Sequence, residues 1–225
     1  MTTPEESGHL FPPWIAAGTV TALLVPLFYT AGWSYAYHYF ERFNLGLMGL
    51  EIPKEYFFLY SYLAVKDRFG FFLLILAVSL FIYILGRWGF RKLVNLAGGT
   101  GWEIPVRSIP AFLVPVILFS LFRIFYWFGE TAAVNAFDWQ AKNDFKSYQR
   151  VRVWANAPET PGFGEAMKKE WEKGCYRLLM RNKDHLFLFY PEQSGGRMPT
   201  DIIPSGKIEM VRILTENQSC KGKNP

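Results

Sequence analysis

Apolar residues run in long unbroken stretches through the first half of the chain and alternate with polar ones only in the second. No Asp, Glu, Lys or Arg occurs between Glu6 and Glu41. A helix needs about 20 apolar residues to cross a hydrocarbon core of about 30 Å, so Trp14 to Tyr35 predicts a first membrane span. Trp14 and Trp33 are 19 residues apart, roughly 28 Å along a helix, which suits one aromatic anchor at each interface. Pro26 falls mid-span, where a bundled membrane helix tolerates it. Phe69 to Gly86 is 18 residues without a charge and predicts a second span. Its Leu, Ile, Phe and Val side chains favour insertion by at most roughly 4–8 kcal/mol. Ser108 to Phe122, extended by Ile124 to Gly129, predicts a third span interrupted by Arg123. That intramembrane charge either snorkels from near the helix end or contacts a partner or an anion.

Between the first two spans the pattern changes. Tyr35, Tyr37, Tyr39 and Phe40 continue the first helix as an aromatic collar. After Pro53, residues 54–66 are rich in Tyr and Phe, bordered by Lys, and too short to span. That composition predicts a segment lying in the headgroup region, the alternative being an ordinary extramembrane helix packed on the bundle.

Beyond Gly129, Ala133, Phe137, Ala141 and Phe145 recur every four residues, with Tyr148 three further on. This helical stripe predicts a stalk over 130–147. Ser147 to Ala155 then alternates, with Arg150, Arg152 and Trp154 on one side and Val151 and Val153 on the other, which predicts a strand. Thr160 and Pro161 suit a helix start, and Phe163, Met167 and Trp171 share one helical face as far as Gly174, a stop. Cys175–Arg181 and His185–Tyr190 predict a hairpin around Asn182-Lys183-Asp184. A short piece at Ile202-Ile203 and a last strand over Lys207–Leu214 complete four or five strands and one helix. The predicted fold class is thus an α-helical membrane protein with three transmembrane helices plus a small α+β, mostly antiparallel, soluble domain. Residues 1–13 form a short tail, 14–129 the membrane domain, 130–147 the stalk and 148–225 the soluble domain.

Composition sharpens this division. The chain is 51% hydrophobic and only 19% charged, against about 25% charged in soluble domains. Residues 1–129 hold seven of the 19 acids and nine of the 24 bases. A simple soluble globule, a disordered tail protein and a disulfide-dense toxin are excluded. The tail carries Glu5 and Glu6 and no base, unlike a signal peptide, so the first span reads as retained.

Orientation follows from loops and cysteines. The loops 36–68 and 87–107 each carry four bases. The second is shorter and has one acid, which favours it as cytoplasmic, whereas the base-free amino tail argues the other way. Cys175 and Cys220 both fall in the soluble domain, and such a pair fits one disulfide in an oxidising compartment. The expected arrangement is a multi-pass bacterial inner-membrane protein with a cytoplasmic amino terminus and a periplasmic carboxyl domain.

Catalytic chemistry finds no constellation. His9, His38 and His185 are the three histidines, and no Gly-x-Ser-x-Gly elbow accompanies them. Asp184-His185 reads as a polar turn pair, and His38 as a headgroup-level aromatic or a pH-sensing group. Cys175, His185 and Cys220 lack zinc spacing. Gly98-Gly99-Thr100-Gly101 lacks the Lys-Ser/Thr ending of a phosphate loop. The net charge of +5 is interleaved and shows no nucleic-acid stripe. Anionic lipid accounts for the juxtamembrane bases.

The expected function is therefore non-catalytic and needs no cofactor. The chain anchors its soluble domain in the bilayer for binding another protein, an envelope component or a second copy of itself. Arg150, Arg152 and Trp154, with Tyr35, Tyr37 and Tyr39, are the expected partner-binding residues, since Tyr, Trp and Arg dominate binding hot spots. Two alternatives stand beside it: an immunity protein against a membrane-active toxin, and a subunit of an oligomeric channel or transporter.

Overall fold

A computed structural model describes residues 13–66, 68, 70, 73, 74, 77, 81, 103–156, 163–191 and 196–215. The chain divides into two compact units, one of Met1–Ser34 with Glu55–Gly129, the other of Tyr35–Lys54 with Glu130–Pro225. Two long helices contribute to both: α1 (Pro13–Glu41) and α3 (Glu103–Lys142).

Among its described residues the first unit is helical. Its α2 (Lys54–Lys66) coincides with the segment expected at the headgroups. α2 buries Phe57, Ser61, Ala64 and Val65 and exposes Tyr56, Phe58, Leu59 and Tyr62. It packs on α1 through Gly32, where a Cβ would lie 1.7 Å from the Phe57 carbonyl oxygen and 2.9 Å from the Ser61 nitrogen. Only a residue without a side chain lets the two backbones approach this closely. Tyr29 flanks the crossing, edge-on to Phe57 at 5.4 Å. α1 meets α3 through the buried Ser34, whose Oγ donates to the Tyr126 carbonyl at 2.7 Å, and through Phe28 against Phe125 at 5.8 Å.

Among the described residues, one helix is long and apolar enough to cross a membrane, Pro115–Lys142 of α3. Most of its apolar stretch is exposed. Val116, Ile117 and Phe119 are exposed along it, as are Leu23 and Val25 on α1. The first expected span falls within α1. Most of the second, Phe69–Gly86, lies outside the described residues; Leu73, Leu74, Ala77 and Phe81 within it are helical and exposed.

The second unit is α+β. Strands β1 (Arg150–Ala155), β2 (Tyr176–Arg181), β3 (His185–Phe189), β4 (Thr200–Pro204) and β5 (Ile208–Leu214) form one antiparallel sheet in the order β4-β3-β2-β1-β5. α4 (Phe163–Glu172) links β1 to β2. Thr160 and Pro161, the expected cap and first residue of this helix, lie outside the described residues.

β4 and β5 occupy opposite edges, yet a single 3-10 turn, Ser205–Lys207, joins them. In a flat sheet these edges would lie roughly 19 Å apart, four strand spacings of about 4.8 Å. The four Cα–Cα steps from Pro204 to Ile208 reach at most about 15 Å. The sheet therefore curls until its edges approach. Ser205 N donates to the Asp184 carbonyl (2.7 Å) and Asn156 N to the Lys207 carbonyl (2.9 Å), holding the turn against the ends of β3 and β1. One face of the sheet buries Val151, Val153, Ala155, Leu186, Leu188 and Ile203 with Trp171 of α4.

A second core is aromatic. α1 ends on Asn44 (φ 55°) and α3 on Asp144 (φ 52°), each followed by the same pair of bonds. Leu45 N donates to the Phe40 carbonyl and Asn44 N to that of Glu41; Phe145 N donates to the Gln140 carbonyl and Asp144 N to that of Ala141. Both ends are Schellman motifs with a left-handed Asn or Asp where glycine is commonest. Each brings a phenylalanine, Phe43 or Phe145, into a cluster with Tyr39, Phe137, Tyr148 and Phe189. The stalk expected to run helically to 147 thus stops at Lys142, and Phe145 reaches the core through its own positive φ of 51°. The last carbonyls of α1 are taken up by the lead into β4: Met198 N donates to the Arg42 carbonyl (2.7 Å) and Thr200 Oγ1 to that of Phe43 (2.8 Å). Arg197 pairs with Glu41 at 2.7 Å beside them.

Candidate ligand-binding face

β1 alternates as its sequence does. Val151, Val153 and Ala155 are buried on one side, and Arg150, Arg152 and Trp154 are partly exposed on the other. The register extends that second face across the neighbouring strands. Arg150 stands opposite Arg177 of β2 and Leu214 of β5, Arg152 opposite Arg212, and Trp154 opposite Met210. Four arginines thus share one face, and the acid of β5, Glu209, is the extra residue of a bulge at its end, opposite Trp154.

Two of the four are fixed to backbone oxygens. The Arg150 guanidinium donates to the Gly174 carbonyl at 3.2 Å, and buried Arg177 donates to the Tyr148 carbonyl at 2.7 Å. The Arg152 guanidinium lies 5.8 Å from the Trp154 ring centroid, a cation–π arrangement. Its Nε is buried with no hydrogen-bond partner among the described residues. Arg212 is exposed, and neither Arg152 nor Arg212 joins an ion pair among the described residues. Gly174 closes the end of this face, and a Cβ there would lie 2.5 Å from Leu214 Cδ1.

The collar meets the arginine face at Tyr148, whose carbonyl accepts from Arg177. Tyr35 and Tyr39 are 7% and 8% exposed and stack at 5.7 Å with nearly parallel rings. The hydroxyls of Tyr39 and Tyr148 are hydrogen-bonded. These two tyrosines contribute core contacts rather than docking surface; Tyr37, 38% exposed, faces outward. Arg123 is exposed on α3 with its guanidinium 5.6 Å from the Tyr126 ring centroid. His38 Nδ1 lies 3.6 Å from Glu41 Oε2. Asp184 and His185 stand in a turn whose Asn182 Oδ1 accepts from both their backbone nitrogens.

Cys175 is buried just before β2, and Cys220 lies outside the described residues. No disulfide is formed among the described residues, so the expected Cys175–Cys220 bridge is not seen. No cluster of three or more His, Cys, Asp or Glu that could hold a metal occurs among them either.

Asp201, which carries no motif in the sequence, fixes α4 to the sheet. Its Oδ2 accepts from Trp171 Nε1 at 2.8 Å. Burial, and then the Asp201 carboxylate beside it, push the Tyr176 hydroxyl above its ordinary pKa. An isolated Asp inside a strand piece gives no sequence signal for this role, because its partners come from α4 and β2. Comparison with protein-family models, with curated proteins and with solved structures finds no match.

Proposed function

We propose that this chain is a non-catalytic, multi-pass integral membrane protein that holds its α+β unit at the bilayer surface to bind another protein or an envelope component. The observation that carries the membrane half is the exposure of Val116, Ile117 and Phe119 along a helix of spanning length. Contiguous exposed apolar surface of this kind belongs in lipid or in an interface. The aromatic flank of α2, with Lys54 and Lys66 at its ends, suits the headgroup region. The binding half rests on Arg150, Arg152 and Trp154, which share one face of β1 and are not consumed by a hydrophobic core. The charge balance of loop 87–107 supports a cytoplasmic amino terminus and a carboxyl unit outside the cytoplasm of a bacterial inner membrane.

The test is extraction followed by capture. The full chain is expected to stay in the membrane pellet through alkaline carbonate and to be released by mild detergent. Release by carbonate alone would refute the membrane assignment. Cross-linking and detergent co-purification should then retain a partner that Trp154→Ala loses; retention unchanged by that substitution would refute the docking face.

A further inference from the structure

We propose that the outward face of β1 and β5 binds a phosphate group, clamped between Arg152 and Arg212, with Trp154 providing an apolar wall for the rest of the ligand. This deepens the docking face proposed above and rests on it. Arg152 and Arg212 are direct cross-strand partners, which places their Cβ atoms roughly 5 Å apart. Like charges opposite one another weaken a sheet, and the acid of β5, Glu209, sits in the bulge opposite Trp154 and forms no ion pair with either arginine. Neither guanidinium joins an ion pair among the described residues. An oxyanion between the terminal nitrogens of the two forks would turn the repulsion into two charge-assisted contacts. A phosphate monoester, close to doubly charged at neutral pH, matches two guanidinium charges where a carboxylate matches one. Arg150 lies on the same face, already held by the Gly174 carbonyl, and adds positive potential. The phosphate could reach this face on a soluble ester or on a lipid headgroup.

The test uses the full chain in phosphatidylcholine nanodiscs and reads thermal unfolding. Inorganic phosphate at millimolar concentration is compared with sodium chloride of equal ionic strength. The wild type should gain about 3 °C or more in phosphate. Arg212→Gln, at an exposed position, should unfold above the wild type in chloride, because the repulsion is relieved, and should not respond to phosphate. Arg152→Gln should also lose the response. Nanodiscs containing phosphatidic acid, without free phosphate, separate the sources. A gain there that free phosphate does not increase identifies a headgroup, and no gain identifies a soluble ester. Equal responses to phosphate and chloride, or a phosphate response retained by both variants, would overturn the clamp. If partner capture remains sensitive to Trp154→Ala in that case, the docking face stands and only the phosphate assignment fails.

Discussion

The ring of Phe43, at the end of α1, meets the ring of Phe189, on β3, edge-on at a centroid separation of 4.9 Å. This contact joins two segments far apart in sequence, and Phe137, Phe145 and Tyr148 close around it. Edge-to-face pairs add about 0.5–1.5 kcal/mol each beyond area burial. Phe43→Ala should therefore cost about 3–5 kcal/mol, read by denaturant unfolding in detergent. Ile213→Ala, at a position 59% exposed, should cost less than about 0.5 kcal/mol. Equal effects would show that the cluster is not the core of this unit.

Gly32 and Gly18 both lie on α1 but should respond oppositely. A Cβ at Gly32 would collide with the backbone of α2, while nothing lies within 4 Å of one at Gly18. Gly32→Ala should destabilise by about 3 kcal/mol, the upper end of ordinary overpacking, because a carbonyl cannot swing aside as a side chain can. Gly18→Ala should stabilise by roughly 0.5–1 kcal/mol through helix propensity. Thermal unfolding in one detergent checks both.

Asn44 and Asp144 hold left-handed backbone conformations, which cost most L-residues about 1–2 kcal/mol. Asn44→Gly should leave stability unchanged or raise it by several tenths of a kcal/mol. Asn44→Val should lower it by about 1–2 kcal/mol, and the same contrast should hold at Asp144. Indistinguishable glycine and valine variants would contradict the Schellman ends.

The pKa of Tyr176 is raised in the folded protein from an ordinary value of 10.0. The unfolded chain therefore loses this proton first as the pH climbs. The associated stability is fully present below pH 10 and falls as the pH rises from there towards the folded value. Tyr176→Phe should flatten the alkaline limb of the stability–pH curve while lowering stability at neutral pH through the lost hydroxyl contact with Asp201. An unchanged alkaline limb would remove Tyr176 as its source.

A reporter fused after Pro225 should be active as a periplasmic phosphatase and dark as a cytoplasmic fluorophore. The opposite result would reverse the proposed orientation.

Several elements are legible in the sequence because their cause is local. The alternation at 150–155 forms β1, the Asn182 turn forms a hairpin, Gly174 follows the end of α4, and residues 54–66 form α2 with those bounds. The helical stripe through Phe137 and Phe145 is right about burial and wrong about the helix. Spacing reports that two residues lie on one side, and a left-handed turn at Asp144 can achieve this as well as another helical turn. Tyr35 and Tyr39 depart from the expected docking role for a related reason. An aromatic anchor in a headgroup belt and an aromatic core residue have the same composition and differ only in whether distant residues cover them.

Where the chain is apolar, where it alternates and where it turns are written in the residue order itself, because those properties depend on neighbours within a few positions. Three features come from long-range contacts instead: residues 35–54 pack with the sheet, a three-residue turn curls that sheet until its edges approach, and Arg152 faces Arg212. Each of these depends on strand register or on contacts between remote segments. A one-residue slip in pairing would send every side chain of β5 to the other face, and no local pattern specifies which of the two registers the folded chain adopts.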